Sequence, residues 1–233
     1  MYGITYNNKH SFNDFNITVL NTRVVKTPSK VKITQTVPFS NITYDFSNLY
    51  GSNFYEERQL EYEFLIKANN SAQLEFKRMQ IEEWLLSTNI KTPLIDDNTP
   101  GYYYNAECIN VNFEDLVNTG KLKATFTAYP FKISTEYEGN NLWDSFNFEL
   151  DVLQDTKFTV SGVSNVSIYN PSVIDIEPEI IASSQFEITL DNKKYVVEAG
   201  TSKDYRFKLK KGNNNITLKG NGTIEFKFRK EVL

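Results

Sequence analysis

The sequence predicts a mainly β protein with two antiparallel β domains, one helix in the first domain and none in the second. Three observations lead to this fold class. Apolar and polar residues alternate with a period of two along most of the chain, a single segment has helical spacing, and the second half consists of short alternating runs between turn residues. Such alternation is typical of antiparallel sheets with one face in contact with water.

Length and composition are those of a globular protein. The chain has 233 residues, which is enough for one large domain or two of ordinary size. Hydrophobic residues make up 40% and charged residues 23%, close to the globular average. The net charge of -4 argues against a protein that binds nucleic acid specifically, because such proteins normally carry a basic stripe.

The N-terminal region and the apolar runs give no sign of export or membrane insertion. Residues 1–10 lack the basic and apolar regions of a secretory signal peptide. No apolar run approaches the roughly 18–20 residues of a membrane helix. We therefore expect a soluble protein that folds in a cytoplasm and has no membrane span.

Alternation predicts the strands of the first half. Residues 58–67 and 120–129 each place four apolar side chains on one face, and 107–113 places three, Ile109, Val111 and Phe113, on the face expected to turn to the core. Shorter alternating runs predict further strands, at 17–19 and 31–34.

One segment, residues 71–86, has helical spacing instead. Its apolar positions fit a helical period better than two: Leu74, Met79, Ile81, Trp84, Leu85 and Leu86. Asn70 is placed as the N-cap, and Gln73 has the position of the partner in a capping box. We expect this helix to pack on a sheet through its apolar residues.

The second half contains strands and tight turns. Residues 130–142 lose the alternation, which predicts a linker and a boundary between a first domain, 1–132, and a second domain, 133–233. Alternation at 205–209 predicts a strand, and Gly220-Asn221-Gly222 predicts a hairpin turn because these residues adopt positive φ. Strands spaced like this without helices predict a β-sandwich or jelly roll.

Residues able to carry catalysis or hold a metal are few. The single histidine, His10, is expected on the surface, and the single cysteine, Cys108, is expected to be an inert thiol in a strand. Asp96-Asp97-Asn98 lacks the spaced ligands of a calcium loop. We therefore predict no enzyme, no cofactor and no metal, although carboxylates alone leave glycoside hydrolysis open.

Four short motifs follow one another along the first half: Tyr44-Asp45-Phe46, Tyr55-Glu56-Glu57-Arg58 before an alternating strand, Trp84-Leu85 at the helix end, and Ala128-Tyr129-Pro130-Phe131. In this order and spacing they resemble the N-terminal domain of the distal tail proteins of siphophages, the Dit family. One departure is Phe39-Ser40-Asn41, where many relatives have a glycine-rich turn. The second half resembles the family's galectin-like β-sandwich in its strand pattern.

The resemblance implies a structural role in a virion. Dit proteins form a hexameric ring at the tip of a long non-contractile tail, so residues 1–132 would be ring-forming and residues 133–233 galectin-like. The implied partners are further copies of the chain, in single or stacked rings, the tail tube protein, the tail-associated lysin or tip protein, and receptor-binding or baseplate proteins. The implied location is the tail tip, after assembly in the host cytoplasm.

Two predicted loops, 39–55 and 95–104, carry the aromatic residues that we expect at subunit contacts: Phe39, Tyr44, Phe54, Tyr55, Tyr102, Tyr103 and Tyr104. Packing of these aromatics in a β core is the open alternative. A second candidate function is a carbohydrate-binding module on the tail tip, with Trp143 as the sugar-stacking residue. A tryptophan that anchors two domains is the alternative for Trp143.

Overall fold

The computed structural model describes residues 2–47, 49, 54–116, 119–140 and 152–233, with the side chains of 115 and 116 excepted. The chain divides into two compact units, Met1–Lys132 with Leu233, and Ile133–Val232. Antiparallel strands dominate both units, which confirms the predicted mainly β fold class.

The first unit contains the following elements: β1 (Ile4–Tyr6), β2 (Lys9–His10), α1 (Ser11–Phe15), β3 (Thr18–Val19), β4 (Val24–Val25), β5 (Thr34–Thr36), β6 (Thr43–Asp45), β7 (Arg58–Lys67), α2 (Ser71–Leu86), β8 (Thr92–Asp96), β9 (Tyr102–Leu116) and β10 (Thr119–Ser134). The main sheet has the order β2-β1-β8-β9-β10-β7-β3, and β4 also pairs with β7. Strands β5 and β6 form a separate two-stranded sheet.

The core of the first unit lies under β7 and β10, as alternation predicts. Leu60, Tyr62, Phe64 and Ile66 of β7 are completely buried. In the antiparallel register Tyr62 lies opposite Ala124, so a large side chain meets a small one across the ladder. This pairing of sizes lets the inward face pack densely.

Strand β9 differs from the prediction. Its buried residues are Tyr104, Ala106 and Cys108, whereas Ile109 is 56% exposed. Ile109 and Asn110 are both exposed, and the inward face passes from even to odd residues at this point. A one-residue slip of this kind is the effect of a β-bulge. The predicted core position of Ile109 is therefore wrong.

Helix α2 has the predicted bounds and the predicted N-cap. The Asn70 side chain accepts a hydrogen bond of 2.8 Å from the Gln73 N–H, while the Gln73 amide oxygen accepts from the Asn69 N–H at 3.1 Å. Trp84 is buried, and its indole N–H donates to the Tyr6 carbonyl at 2.8 Å. Cap and tryptophan together fix the helix against the N-terminal strand.

Helix α1 is absent from the sequence-based prediction because its N-cap is a histidine. Nδ1 of His10 accepts hydrogen bonds from the N–H groups of Phe12 and Asn13, both at 3.2 Å. Since Nδ1 accepts, Nε2 carries the proton and donates to Asp97 Oδ2 at 3.2 Å. His10 is thus a structural cap with two sets of partners, and not the surface residue expected from the sequence.

The second unit contains β11 (Lys157–Asn170), β12 (Glu179–Ala182), β13 (Phe186–Leu190), β14 (Lys193–Val197), β15 (Gly200–Ser202), β16 (Gly212–Lys227) and β17 (Glu231–Val232). Its sheet has the order β14-β13-β16-β12-β15, and β11 also pairs with β16. The long strand β16 therefore organises the whole unit.

Gly220-Asn221-Gly222 does not form the predicted hairpin turn, because it lies inside β16. Here β16 exchanges one partner for another: Gly220 pairs with Phe186 of β13, and Ile224 pairs with Ala182 of β12. A β-carbon on Gly220 would lie 2.6 Å from the Phe186 ring, so the glycine is needed for close approach. The turn-forming residues mark a change of partner within one strand.

The predicted strand at 205–209 is also wrong, although its core residues are right. Phe207 and Leu209 are buried, but the segment makes only an isolated bridge between Leu209 and Ile176. Apolar alternation here reflects burial without a ladder of backbone hydrogen bonds. In the described parts of both units, no helix is long and apolar enough to cross a membrane.

We expect Gly222→Ala to lower the free energy of unfolding of the second unit by about 3 kcal/mol, since the variant meets both backbone strain and a clash. Gly222 has a φ of +133°, and a β-carbon there would lie 2.3 Å from Ser183 Oγ, which already accepts from the Thr223 N–H. Calorimetric unfolding measures the loss.

Gly162→Ala is the matched control, because Gly162 has a φ of +84° with open space around it. We expect this control to lose only about 1 kcal/mol, from backbone strain alone. Equal losses in the two variants would show that the contact with Ser183 has no energetic role.

Candidate subunit interface

Residues 31–47 form a hairpin, here named the ribbon, that stands apart from the main sheet. Strands β5 and β6 pair Thr34 with Asp45, Gln35 with Tyr44 and Thr36 with Thr43. The Phe46 N–H donates to the Ile33 carbonyl at 2.8 Å, which continues the ladder. The predicted strand at 31–34 overlaps this sheet only at Thr34, where β5 begins.

The two faces of the ribbon differ sharply in polarity. Side chains alternate along each strand, and cross-strand pairs share a face. One face, named the ribbon apolar face, consists of Ile33, Gln35, Val37, Ile42, Tyr44 and Phe46. Its apolar members are each 41 to 58% exposed. Among the residues that the structure describes, this face covers no core.

The opposite face of the ribbon is polar and holds the hairpin in register. Lys32 Nζ lies 2.7 Å from Asp45 Oδ2, and the Ser47 N–H donates to Asp45 Oδ1 at 2.9 Å. The hydrogen bond from Lys32, together with those from Ser47, holds the pKa of Asp45 below its usual range. These contacts hold the two strands in register and leave the apolar face exposed, although a lone two-stranded hairpin is only marginally stable in water.

The tip of the ribbon presents a strained aromatic residue. Phe39 is fully exposed and has a φ of +63°, a conformation that a bulky residue rarely adopts. It lies in the segment Phe39-Ser40-Asn41, where the Dit pattern has a glycine-rich turn. Exposure and strain at one side chain are typical of a residue held for contact with another molecule.

The base of the ribbon is attached to the segment that leads into β7. The Val31 N–H donates to the Phe54 carbonyl at 2.9 Å, and the Glu56 N–H donates to the Ser29 carbonyl at 2.8 Å. Phe54 is 52% exposed, whereas Tyr55 is half-buried with its ring centroid 5.3 Å from that of Phe131. Phe54 therefore extends the exposed aromatic surface, and Tyr55 anchors it.

The three tyrosines at the start of β9 are divided between surface and core. Tyr102 and Tyr103 are partly exposed, whereas Tyr104 is only 2% exposed. The guanidinium of Arg58 lies 5.5 Å from the Tyr104 ring centroid, and its Nε donates to the Pro130 carbonyl at 3.1 Å. Tyr104 thus packs in the core of its own unit, and its ring does not form part of the surface.

A buried carboxylate positions the loop before these tyrosines. Asp96 is completely buried, and its Oδ2 accepts from Arg23 Nη1 and, at 2.9 Å, from the Tyr62 hydroxyl. Its Oδ1 accepts from the Asn98 N–H at 2.9 Å. Burial, reinforced by Asp96, raises the pKa of Tyr62 well above its ordinary value, so the phenol stays a neutral donor.

The neighbouring Asp97 makes a second set of bonds to the N-terminal strand. Its Oδ2 accepts from the Gly3 N–H at 2.8 Å and from His10. The acidic pair is therefore occupied by protein donors. Among the residues that the structure describes, no cluster of histidine, cysteine and acidic side chains could hold a metal ion. Burial raises the pKa of the Cys108 thiol to about 12, as expected for an inert cysteine.

Helix α2 exposes an apolar row that the sequence reasoning missed. Phe76 is 64% exposed, Met79 and Leu86 are each 48% exposed, and Ile90 beyond the helix is 65% exposed. The expected core positions of Met79 and Leu86 are wrong. The spacing 76, 79, 83, 86 and 90 could have shown this, because steps of three and four define a second face of the helix.

The other sequence-predicted residue, Trp143, lies outside the described residues. The candidate contact residues that the structure describes belong to three separate segments. Phe39 and Tyr44 belong to the ribbon, Phe54 and Tyr55 to its base, and the tyrosines to β9.

The fold agrees with that of a solved phage protein. The SPP1 Dit (gp 19.1) protein, described as a paradigm of hub adsorption apparatus in Gram-positive infecting phages, matches with a TM-score of 0.67 and 12% identity, over 98% of this chain and 99% of that chain. The chain has the Dit fold. This likeness confirms, at the level of the fold, the resemblance predicted from the sequence.

The remaining comparisons do not strengthen the fold assignment. A chain in the phage p2 baseplate in its activated conformation with Sr is 9% identical over 98% of this chain and 97% of that chain, at a TM-score of 0.41. The sequence matches no protein-family model and no curated protein.

We expect Asp96→Asn to lower the free energy of unfolding of the first unit by about 2 to 3 kcal/mol, because it leaves Arg23 without its anionic partner. We expect a smaller loss than for a fully buried ion pair, since the Arg23 side chain is 29% exposed. Urea unfolding followed by circular dichroism measures the change.

The adjacent variant, Asp97→Asn, is the control. The Asp97 side chain is 39% exposed, and its amide replacement can still accept from Gly3. We expect a loss of about 1 kcal/mol or less. A larger loss for Asp97→Asn than for Asp96→Asn would contradict the role given to the buried carboxylate.

Proposed function

We propose that the protein is a distal tail hub of a siphophage, a structural protein at the tip of a long non-contractile tail. The observation that carries the proposal is the likeness to the SPP1 Dit protein, which spans both units and nearly the whole of each chain. A protein that shared only a sandwich module would match over one unit.

In this proposal six copies of the chain form a closed ring. A closed cyclic ring uses heterologous contacts, in which one surface patch meets a different patch on the neighbour. The ribbon apolar face, with Phe39 at its tip, supplies an uncovered patch of the kind that such a contact needs. Tyr102 and Tyr103 are proposed as further contact residues.

The two units have different proposed roles. The first, residues 1–132, forms the ring and contacts the tail tube protein on one side and the tail-associated lysin or tip protein on the other. The second, residues 133–233, is galectin-like and offers a docking surface to receptor-binding or baseplate proteins. The protein then acts by assembly at the tail tip, without an active site.

The experiment is a mass measurement on the purified chain by light scattering, over a wide range of concentrations, with electron microscopy of the same sample. We expect a closed ring of about six times the 27.0 kDa chain mass. A monomer at every concentration, or open filaments, would contradict the ring.

Phe39→Glu tests the contact proposed for the ribbon tip. Because Phe39 is fully exposed in the single chain, the charge leaves the fold intact but disfavours burial in a contact, so we expect the fraction of hexamer to fall. Tyr205→Glu is the matched control, since Tyr205 is 72% exposed and belongs to the second unit. A hexamer that tolerates both variants equally would exclude the ribbon tip from the ring contact.

A further inference from the structure

His10 lies where three parts of the first unit meet. It ends β2, it caps helix α1, and its ring contacts Asp97 in the loop after β8. The side chain is only 16% exposed. A β-carbon on Gly3 would lie 2.6 Å from Cε1 of His10, so the ring packs directly against the backbone that leads into β1. The neighbours of the ring therefore fix its position.

The two ring nitrogens have partners that require opposite protonation. Nδ1 accepts hydrogen bonds from the N–H groups of Phe12 and Asn13, both at 3.2 Å, and a backbone N–H can only donate. Nδ1 therefore carries no proton. Nε2 lies 3.2 Å from Asp97 Oδ2, a carboxylate oxygen that accepts, so Nε2 carries the proton. The cap of α1 thus exists only while the ring is neutral.

Protonation of Nδ1 replaces the acceptor of the cap with a donor. The proton, taken from water, occupies the lone pair that receives the N–H groups of Phe12 and Asn13. Three donors would then point at one another, at a helix end where a cation is unfavourable. The bond to Asp97 remains, because Nε2 keeps its proton and the charge strengthens that contact. The charged ring therefore holds Asp97 and releases α1.

The charged groups around the ring offer no substitute for Nδ1. Asp97 favours the charged ring, but its side chain is 39% exposed and also accepts a backbone N–H at 2.8 Å, which weakens its attraction. Asp14, on α1, accepts from the backbone N–H of the histidine at 2.6 Å. Lys9 has its ammonium 5.5 Å from the Phe15 ring centroid and can only donate. Both carboxylates are thus occupied by other donors.

Loss of the cap should unwind α1, because this helix has only five residues. A helix of this length is not stable in water on its own. Its end is also held by backbone hydrogen bonds that Asn16 and Ile17 donate, at 2.9 and 3.2 Å. Phe15 stacks on Trp84, with ring centroids 4.6 Å apart. Release of α1 therefore removes an aromatic cover from the tryptophan that anchors helix α2.

We propose that His10 is a pH-sensitive switch, in which the neutral ring caps helix α1 and the protonated ring releases it. Histidine is the side chain whose charge ordinarily changes between about pH 5 and pH 8. The chain has one histidine, so no other histidine contributes in this range. The capped form belongs to neutral pH and the released form to mildly acidic pH. The switch lies within a single chain and operates with or without assembly into a ring.

Hydrogen exchange followed by mass spectrometry, at about pH 7.5 and about pH 5.5, tests the switch. The peptide that covers residues 11–17 reports the amides held by the cap and by the helix. Each rate is divided by the intrinsic rate at the same pH. We expect these amides to exchange about tenfold faster at the lower pH, relative to the intrinsic rate. The amides of β7 are the internal reference, and their relative rates should stay unchanged.

His10→Asn is the matched variant, because asparagine is a good N-cap whose side-chain oxygen accepts the same N–H groups and does not titrate. We expect residues 11–17 of this variant to have the same relative rates at both pH values. His10→Ala, which has no acceptor, should exchange rapidly at both. Equal relative rates in the native chain at the two pH values would overturn the switch, and so would an acid effect that persists in His10→Asn.

Acrylamide quenching of Trp84 provides a second readout that needs no variant at His10. Trp143→Phe leaves Trp84 as the only tryptophan, since the chain has two. We expect quenching to increase about twofold as the pH falls from about 7.5 to about 5.5, because departure of Phe15 opens access to the indole. Quenching that is the same at both pH values would contradict the release of α1.

Discussion

The buried carboxylate of Asp96 is the interaction on which the first unit depends. A completely buried charge is tolerated only when its oxygens are fully partnered, and here the partners come from three separate parts of the chain: Arg23, Tyr62 and Asn98. Arg23 precedes the ribbon, Tyr62 lies in β7, and Asn98 belongs to the loop before the tyrosines. One carboxylate therefore fixes the places from which the candidate contact surfaces start.

The first unit has two apolar surfaces that its described residues leave exposed. The ribbon folds through its own polar face, by the contacts of Lys32 and Ser47 with Asp45, and so its apolar face is free. Helix α2 is held from the inside by Trp84, whereas Phe76 and Met79 on its other side are exposed. Exposed apolar surface of this extent is typical of sites that bind another molecule.

The sequence predicts those parts of the fold in which local pattern and tertiary burial agree. Alternation identifies the strand at 58–67, and Asn70 identifies the start of helix α2. The prediction from sequence fails where a residue has an unusual role. His10 caps a helix, and Gly220-Asn221-Gly222 marks a change of strand partner instead of a turn. On helix α2 the apolar residues divide between two faces, and steps of three and four from residue 76 to residue 86 distinguish the exposed face from the buried one.

Hydrogen exchange of the ribbon amides tests most directly whether the ribbon apolar face is covered only in the assembly. The measurement compares dilute monomer with concentrated protein, and reads the amides of residues 33–46. We expect fast exchange in the monomer, since a lone hairpin is marginally stable, and strong protection in the assembly. Equal exchange of the ribbon in monomer and assembly would contradict the account.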